Sequence, residues 1–170
     1  MRVEERPAPT ERVRLRPTTE GDLAFVLREE GDEENRPFIG RWPRDRHLRA
    51  LADASVEHLV AEDRGGEPLG YAILTGIGGP GRIVCLKRLM VARKGRGYGR
   101  AVLRLVKRRA FGELGAHRLW LDVKDGNARA RGLYESEGFV QEGVLRDSFW
   151  TGEVHETLVV MSILESEYRA

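Results

Sequence analysis

One cysteine, Cys85, stands among 170 residues. That scarcity excludes an internal disulfide framework and any zinc site built from several thiolates. The four histidines, His47, His58, His117 and His155, lie far apart with neither HxxxH nor HxH spacing. No metal site is therefore expected. No stretch approaches the ~20 apolar residues that a membrane helix requires. The opening run from Met1 to Pro17 lacks the apolar segment of a secretory signal. The expectation is a soluble, cytoplasmic chain. Its hydrophobic fraction of 41% is too high for a disordered one. The length fits one domain, expected over residues 12–170, with residues 1–11, polar and carrying two prolines, as a flexible N-terminal segment.

A second absence is local. From Pro68 to Gly112 there is no Asp or Glu, while Arg82, Lys87, Arg88, Arg93, Lys94, Arg96, Arg100, Arg104, Lys107, Arg108 and Arg109 all fall in that window. The net charge of +2 conceals this block. Uncompensated positive charge in sequence suggests an anionic ligand or partner. Its plainer explanation is a solvated helix face.

What is present reads as alternating strands and helices. Val13–Arg16 alternates as a short strand. Thr19 followed by Asp22 marks a helix start, with Leu23, Val26 and Leu27 on one face. Residues 29–40 read as an acid-rich loop, and Pro43 fits the first turn of a second helix with Leu48, Leu51 and Ala52 on its apolar face. Strands at 58–63 and 68–75 flank a Gly65-Gly66 turn. A third strand covers 82–91. A helix is expected over 100–112, a strand over 117–123, a short helix over 127–137 closed by Gly138, and two strands over 139–146 and 154–164. The order β-α-α-β-β-β-α-β-α-β-β implies one α/β domain around a mixed, mostly antiparallel central sheet flanked by helices.

Chemistry concentrates where the 82–91 strand meets the following helix. Lys94-Gly95-Arg96-Gly97-Tyr98-Gly99-Arg100 places alternate glycines in the turn. Glycine removes the Cβ that would keep backbone N–H groups from a ligand. A helix N-terminus adds free donors and positive potential, so the turn suits a phosphate or pyrophosphate. No Gly-Lys-Ser/Thr closes it, so it is not a Walker loop. The dinucleotide fingerprint GxGxxG/A fails at Val102.

The next helix carries the decisive pattern. Leu121, Val123, Asn127, Ala130, Leu133, Tyr134, Gly138 and Phe139 occupy every fixed position of L-x-V-x-x-x-N-x-x-A-x-x-L-Y-x-x-x-G-F. Here the chain resembles the GCN5-related N-acetyltransferase (GNAT) superfamily. The family's other signature, Q/R-x-x-G-x-G/A, fits in two registers. One is Arg96-x-x-Gly99-x-Ala101. The other, preferred, is Lys94-x-x-Gly97-x-Gly99 with lysine in place of Q/R. Val13 to Asp22, Gly143 to Asp147 and Val160 to Leu164 look like the branch containing ribosomal-protein N-terminal acetyltransferases.

The resemblance implies the GNAT fold and transfer of an acetyl group from acetyl-CoA to a primary amine by direct attack on the thioester, without metal or acyl-enzyme. It implies that the turn from Lys94 to Arg100 meets the coenzyme's phosphates, Arg93 adding charge. Backbone of Leu89, Met90 and Val91 and the side chains of Asn127 and Arg131 are expected along the rest of coenzyme A, and a backbone N–H of the strand over 86–91 stabilises the oxyanion. Tyr134 stands at the general-acid position. Asn127 also suits a helix N-cap. Asp122 and Glu156 are open candidates for the base. The acidic run Glu29, Glu30, Asp32, Glu33, Glu34 either draws a cationic acceptor or is a solvated loop, and Trp42 and Trp150 either line the acceptor pocket or belong to the core. The acceptor and the acyl length are not fixed by these residues. Two other functions stay open, a non-catalytic CoA-binding regulator and a nucleic-acid module using Arg100, Arg104, Lys107 and Arg108. A homodimer is a further expectation, and no membrane partner is.

Overall fold

The computed structural model describes residues 12–170. The flexible segment expected over residues 1–11 lies outside them. Seven strands form one sheet: β1 (Val13–Pro17), β2 (Val56–Asp63), β3 (Pro68–Thr75), β4 (Ile83–Val91), β5 (Arg118–Lys124), β6 (Val140–Trp150) and β7 (His155–Leu164). Five helices accompany them: α1 (Leu23–Gly31), α2 (Arg36–Ile39), α3 (Arg44–Ala52), α4 (Tyr98–Arg108) and α5 (Ala128–Ser136). The sheet order is β1-β2-β3-β4-β5-β7-β6. Every neighbouring pair is antiparallel except β4 and β5, which run parallel through the α4 crossover.

Two apolar layers sandwich the sheet. On one face Ala101, Val102, Leu105 and Val106 of α4 and Tyr134 of α5 bury against Leu86, Leu119, Leu121 and Val123. The i, i+3/i+4 spacing of those α4 residues places them on one stripe. On the other face Phe25 and Val26 of α1 pack with Tyr71, Ile73 and Met90. Each large apolar side chain so buried contributes about 1.5–3 kcal/mol, which helps the short helix α1 persist.

The expected element order is observed, with three local differences. Residues 29–40 are not a single loop: α1 runs on to Gly31 and α2 occupies Arg36–Ile39. The structure caps α3 with Pro43 rather than including it, and buries His47 and Ala50 instead of the Leu48, Leu51 and Ala52 face. Polar partners beneath His47 outweigh the apolar periodicity there. Finally, α4 begins at Tyr98, two residues early, because Gly97 at φ +79° serves as its cap. Its end widens into a turn in which Leu114 N–H reaches back to Arg109 O at 2.9 Å.

No helix among the described residues is long and apolar enough to cross a membrane.

Candidate active site

The parallel pairing of β4 with β5 covers only Ile83–Cys85 against Arg118–Trp120. Beyond Cys85 the two strands part. β4 stays paired with β3 as far as Val91, with an extra residue, Lys87, bulging between Leu86 and Arg88. The opposite edge of β4, from Leu86 to Val91, therefore carries no strand. A buried backbone donor or acceptor left unpaired costs roughly 1–3 kcal/mol. This edge must be met by water or by an extended ligand with amide groups of its own. The side chains of Leu89, Met90 and Val91 pack into the two apolar layers, so only their backbone can serve such a ligand.

At its end β4 delivers the chain into the glycine turn. Gly95 and Gly97 both take positive φ, +75° and +79°, a conformation that L side chains rarely adopt. The first intrahelical bond of α4 is Ala101 N–H to Gly97 O at 3.1 Å. The amides of Tyr98, Gly99 and Arg100 therefore lie in the unsatisfied first turn. These features fit a pyrophosphate.

α5 leans over the same turn. Leu133 Cδ2 lies 3.5 Å from the Cβ position of Gly99, and Arg129 Nη2 lies 3.8 Å from that of Gly95. Arg129 and Leu133 are four residues apart on α5, as Gly95 and Gly99 are in the turn, so two helical-spaced pairs mesh. Arg129, not among the residues expected at the turn, is the arginine of α5 that approaches Gly95. In the structure Arg131 instead pairs with Asp125 Oδ1 at 2.9 Å and holds the β5–α5 turn. The contact between Leu133 and the turn fixes which face of α5 meets the glycines.

The cations of the acid-free stretch prove unequal. Arg100, Arg104 and Lys107 all converge on the buried carboxylate of Glu137, with Arg100 Nη1 at 2.6 Å and Lys107 Nζ at 3.0 Å. Arg109 pairs with Glu57 and Glu113, Arg88 with Glu30, and Arg82 with Glu165. Lys94 donates to Glu34 O at 3.3 Å. Arg93 and Arg96 are exposed, with no hydrogen-bond or ion-pair partner among the described residues. Three of the four cations invoked for a nucleic-acid face are thus engaged by one carboxylate, which removes the basis of that reading.

Tyr134 lies on α5, 9% exposed, its ring 5.6 Å from that of Phe139. Its hydroxyl has no hydrogen-bond partner among the described residues. Burial, and then the charge of Asp122, hold the phenol well above its ordinary value, so it is protonated at neutral pH. Asp122 sits on β5 just past the last pair with β4, exposed and without an ion-pair partner among the described residues. Glu156 is instead paired to Lys124 at 2.6 Å. Asn127 caps α5, its Oδ1 accepting from Ala130 N–H at 3.2 Å. Burial pushes the Cys85 thiol up to about 11, which leaves it un-ionised and unsuited to acyl transfer.

The chain matches the acetyltransferase (GNAT) family over residues 24–139. It belongs to that family. The chain is an acetyl-CoA-dependent N-acyltransferase. Among curated relatives, the acetyltransferase is 26% identical over 165 residues to spermidine N(1)-acetyltransferase of Vibrio cholerae, covering 91% of this chain and 94% of that one. It is 33% identical over 75 residues to the putative ribosomal N-acetyltransferase YdaF of Bacillus subtilis, covering 44% and 41%. A solved structure of the Vibrio cholerae spermidine N-acetyltransferase in complex with CoA and spermine superposes with a TM-score of 0.84 at 24% identity, covering 93% of this chain and 98% of that one. That likeness establishes the fold.

The acidic run is divided in the acetyltransferase. Glu30 is wholly buried, whereas Asp32, Glu33 and Glu34 are exposed between α1 and α2. The segment from Glu34 to Phe38 is tied to both sides of the opening between β4 and β5. Lys94, after β4, donates to Glu34 O, and Lys124, ending β5, donates to Pro37 O at 2.6 Å. The Glu33 and Glu34 carboxylates have no partner among the described residues. Trp42 is half-buried between two guanidinium groups, Arg46 at 3.9 Å and Arg88 at 4.7 Å, while Trp150 is 55% exposed at the end of β6.

Proposed function

We propose that this acetyltransferase carries an acetyl group from acetyl-CoA to a primary amine of a polycation, of the polyamine class. The observation that carries the acceptor class is the placement of Asp32, Glu33 and Glu34 at the start of the segment tied across the opening between β4 and β5. Three carboxylates with no cation of their own attract a second and third ammonium group while the first one reacts. The near full-length similarity to a spermidine N(1)-acetyltransferase supports the same reading.

In this mechanism the pantetheine arm lies along the open edge of β4 and meets the backbone of Leu89 to Val91, with Asn127 at its side. The amides from Gly95 to Arg100 hold the pyrophosphate, and Arg93, Arg96 and Arg129 supply positive charge around it. Lys94 must leave Glu34 O to join them. The amine attacks the thioester carbonyl directly. A β4 backbone N–H stabilises the oxyanion. Collapse of the tetrahedral intermediate breaks the C–S bond, Tyr134 gives its proton to the departing thiolate, and the second proton lost by the attacking nitrogen returns through water to the Tyr134 phenolate. Asp122, an exposed carboxylate whose charge acts on Tyr134, receives the ammonium proton through water before attack.

The test is free-thiol release with spermidine, spermine, n-butylamine and an N-terminal serine peptide as competing acceptors. Spermidine or spermine is expected to exceed n-butylamine at least tenfold in kcat/KM, with the advantage shrinking as salt rises. Equal or better turnover of the monoamine or the peptide overturns the polyamine assignment and leaves the acetyltransferase intact.

A further inference from the structure

Under the α1–α3 face lies a buried polar cluster that the chemistry above does not use. Glu30 is 0% exposed, and its Oε1 accepts from the Tyr71 hydroxyl and, at 2.9 Å, from Arg88 Nη2. Its Oε2 accepts from Trp42 N–H at 2.8 Å. Arg88 Nη2 also donates to Gly40 O at 2.6 Å, and Arg88 Nε to the Tyr71 oxygen at 3.2 Å. Behind Glu30, His47 Nε2 stands 3.3 Å away but out of line for a hydrogen bond. His47 Nδ1 lies 3.0 Å from His58 Nε2, and His58 Nδ1 lies 2.9 Å from Thr18 Oγ1.

Two facts make this more than a packed core. First, an ion pair this deep is a poor way to gain stability, because both ions lose their hydration and apolar residues of similar volume do as well. Second, its two members hold the two ends of one tripeptide. Arg88 grips Gly40 O, and Glu30 grips Trp42 N–H. Gly40 takes φ +62°, so the corner between α2 and α3 has a shape that side-chain-bearing residues rarely adopt. Arg88 itself follows the Lys87 bulge on β4, the strand whose free edge faces the thioester.

We infer that Arg88 and Glu30 are positioning residues: by holding Gly40 to Trp42 they fix the adjoining segment from Glu34 to Phe38, which spans the opening between β4 and β5, at a set distance from the open edge of β4. The pair touches neither substrate. It sets the approach of the amine by joining the strand that holds the donor to the segment that faces the acceptor. A displacement of about an ångström between reacting groups is enough to slow a bimolecular attack severely. This inference rests on the acetyltransferase reading.

The test uses the double variant Glu30→Met, Arg88→Met, which removes both charges and keeps the volume, and the single variant Arg88→Lys. Lysine retains the charge beside Glu30 but cannot reach Glu30, Gly40 and Tyr71 at once. Thiol release is measured with the best wild-type amine among spermidine, n-butylamine and an N-terminal serine peptide. Coenzyme A affinity and amide exchange over residues 40–42 are measured alongside. Both variants are expected to raise the amine KM or lower kcat by tenfold or more, to exchange faster over 40–42, and to bind coenzyme A within twofold of wild type. Wild-type amine kinetics in a folded variant overturn the inference, as does a loss of coenzyme A affinity equal to the loss of turnover. If the double variant does not fold, Arg88→Lys with unchanged amine kinetics overturns it. A wild-type enzyme that turns over none of the amines overturns the proposed acceptor class instead.

Discussion

Lys107 donates from Nζ to both the carboxylate and the backbone carbonyl of Glu137, at 3.0 Å and 2.8 Å, across thirty positions of sequence. That contact joins α4 to the end of α5 and brings the glycine turn and Tyr134 into one unit. It also explains why a chain with eleven consecutive unopposed cations in sequence does not present eleven free ones in space.

Glu137→Gln is expected to cost about 2 kcal/mol, because three cations lose the carboxylate they share. For a chain of this size that lowers Tm by roughly 4–8 °C. Burial disfavours the Glu137 carboxylate, but hydrogen bonds from Arg104, Lys107 and Arg100 hold it down at about 2. A folded value below the unfolded one gives stability that is present above about 4.5 and lost as pH falls through about 2. Thermal melts of the variant should consequently differ less from wild type at pH 3 than at pH 7.

Tyr134→Phe is expected to lower kcat by 10²-fold or more while coenzyme A affinity stays within a few-fold, since general acids typically contribute 10²–10⁴. The raised phenol also predicts that no alkaline fall in kcat appears at the ordinary tyrosine value of ~10. Single-turnover rates with saturating acetyl-CoA check both. An unchanged rate in the variant removes Tyr134 from the acid role.

Arg129→Ala is expected to weaken coenzyme A binding by three- to tenfold, and the triple loss of Arg93, Arg96 and Arg129 by far more. Arg131→Ala should leave that affinity within twofold and instead lower Tm, because it releases the Asp125 turn. Calorimetric titration at two salt concentrations separates the effects. Equal losses at 129 and 131 would contradict the assignment.

His58 gives an acid-lability prediction distinct from that of the carboxylates. Burial, then the neighbouring His47, lower its value from 6.5 to about 4. The native state keeps this imidazole neutral while the unfolded chain protonates it, so unfolding takes up a proton between about 6.5 and 4 and stability falls as pH falls through that window. His58→Gln should flatten the pH dependence of Tm there. A slope identical to wild type would show that His58 is not its source.

The acidic run shows the boundary between local and tertiary information most clearly. Glu30 and Glu33 are three positions apart and of one residue type, yet one is sealed in the core and the other is free at the opening. No local pattern separates them, because the difference is made by Tyr71, Arg88 and Trp42, which arrive from elsewhere in the chain. The buried face of α3 departs from the apolar pattern for the same reason: His47 is buried among groups from other elements, and periodicity registers only apolar residues.

The sequence by itself determined the order of the strands and of the longer helices, the glycine turn and the family. Each is written in contiguous residues, where helical and strand periods and a run of eight matched positions are visible without folding. The tertiary structure decided which charges remain available and which arginine of α5 meets the turn. Ion pairs act over a few ångströms of space regardless of separation along the chain. Residues two positions apart on a helix differ by about 200° in direction, so only packing of α5 on α4 could turn Arg129 toward Gly95 and Arg131 toward Asp125.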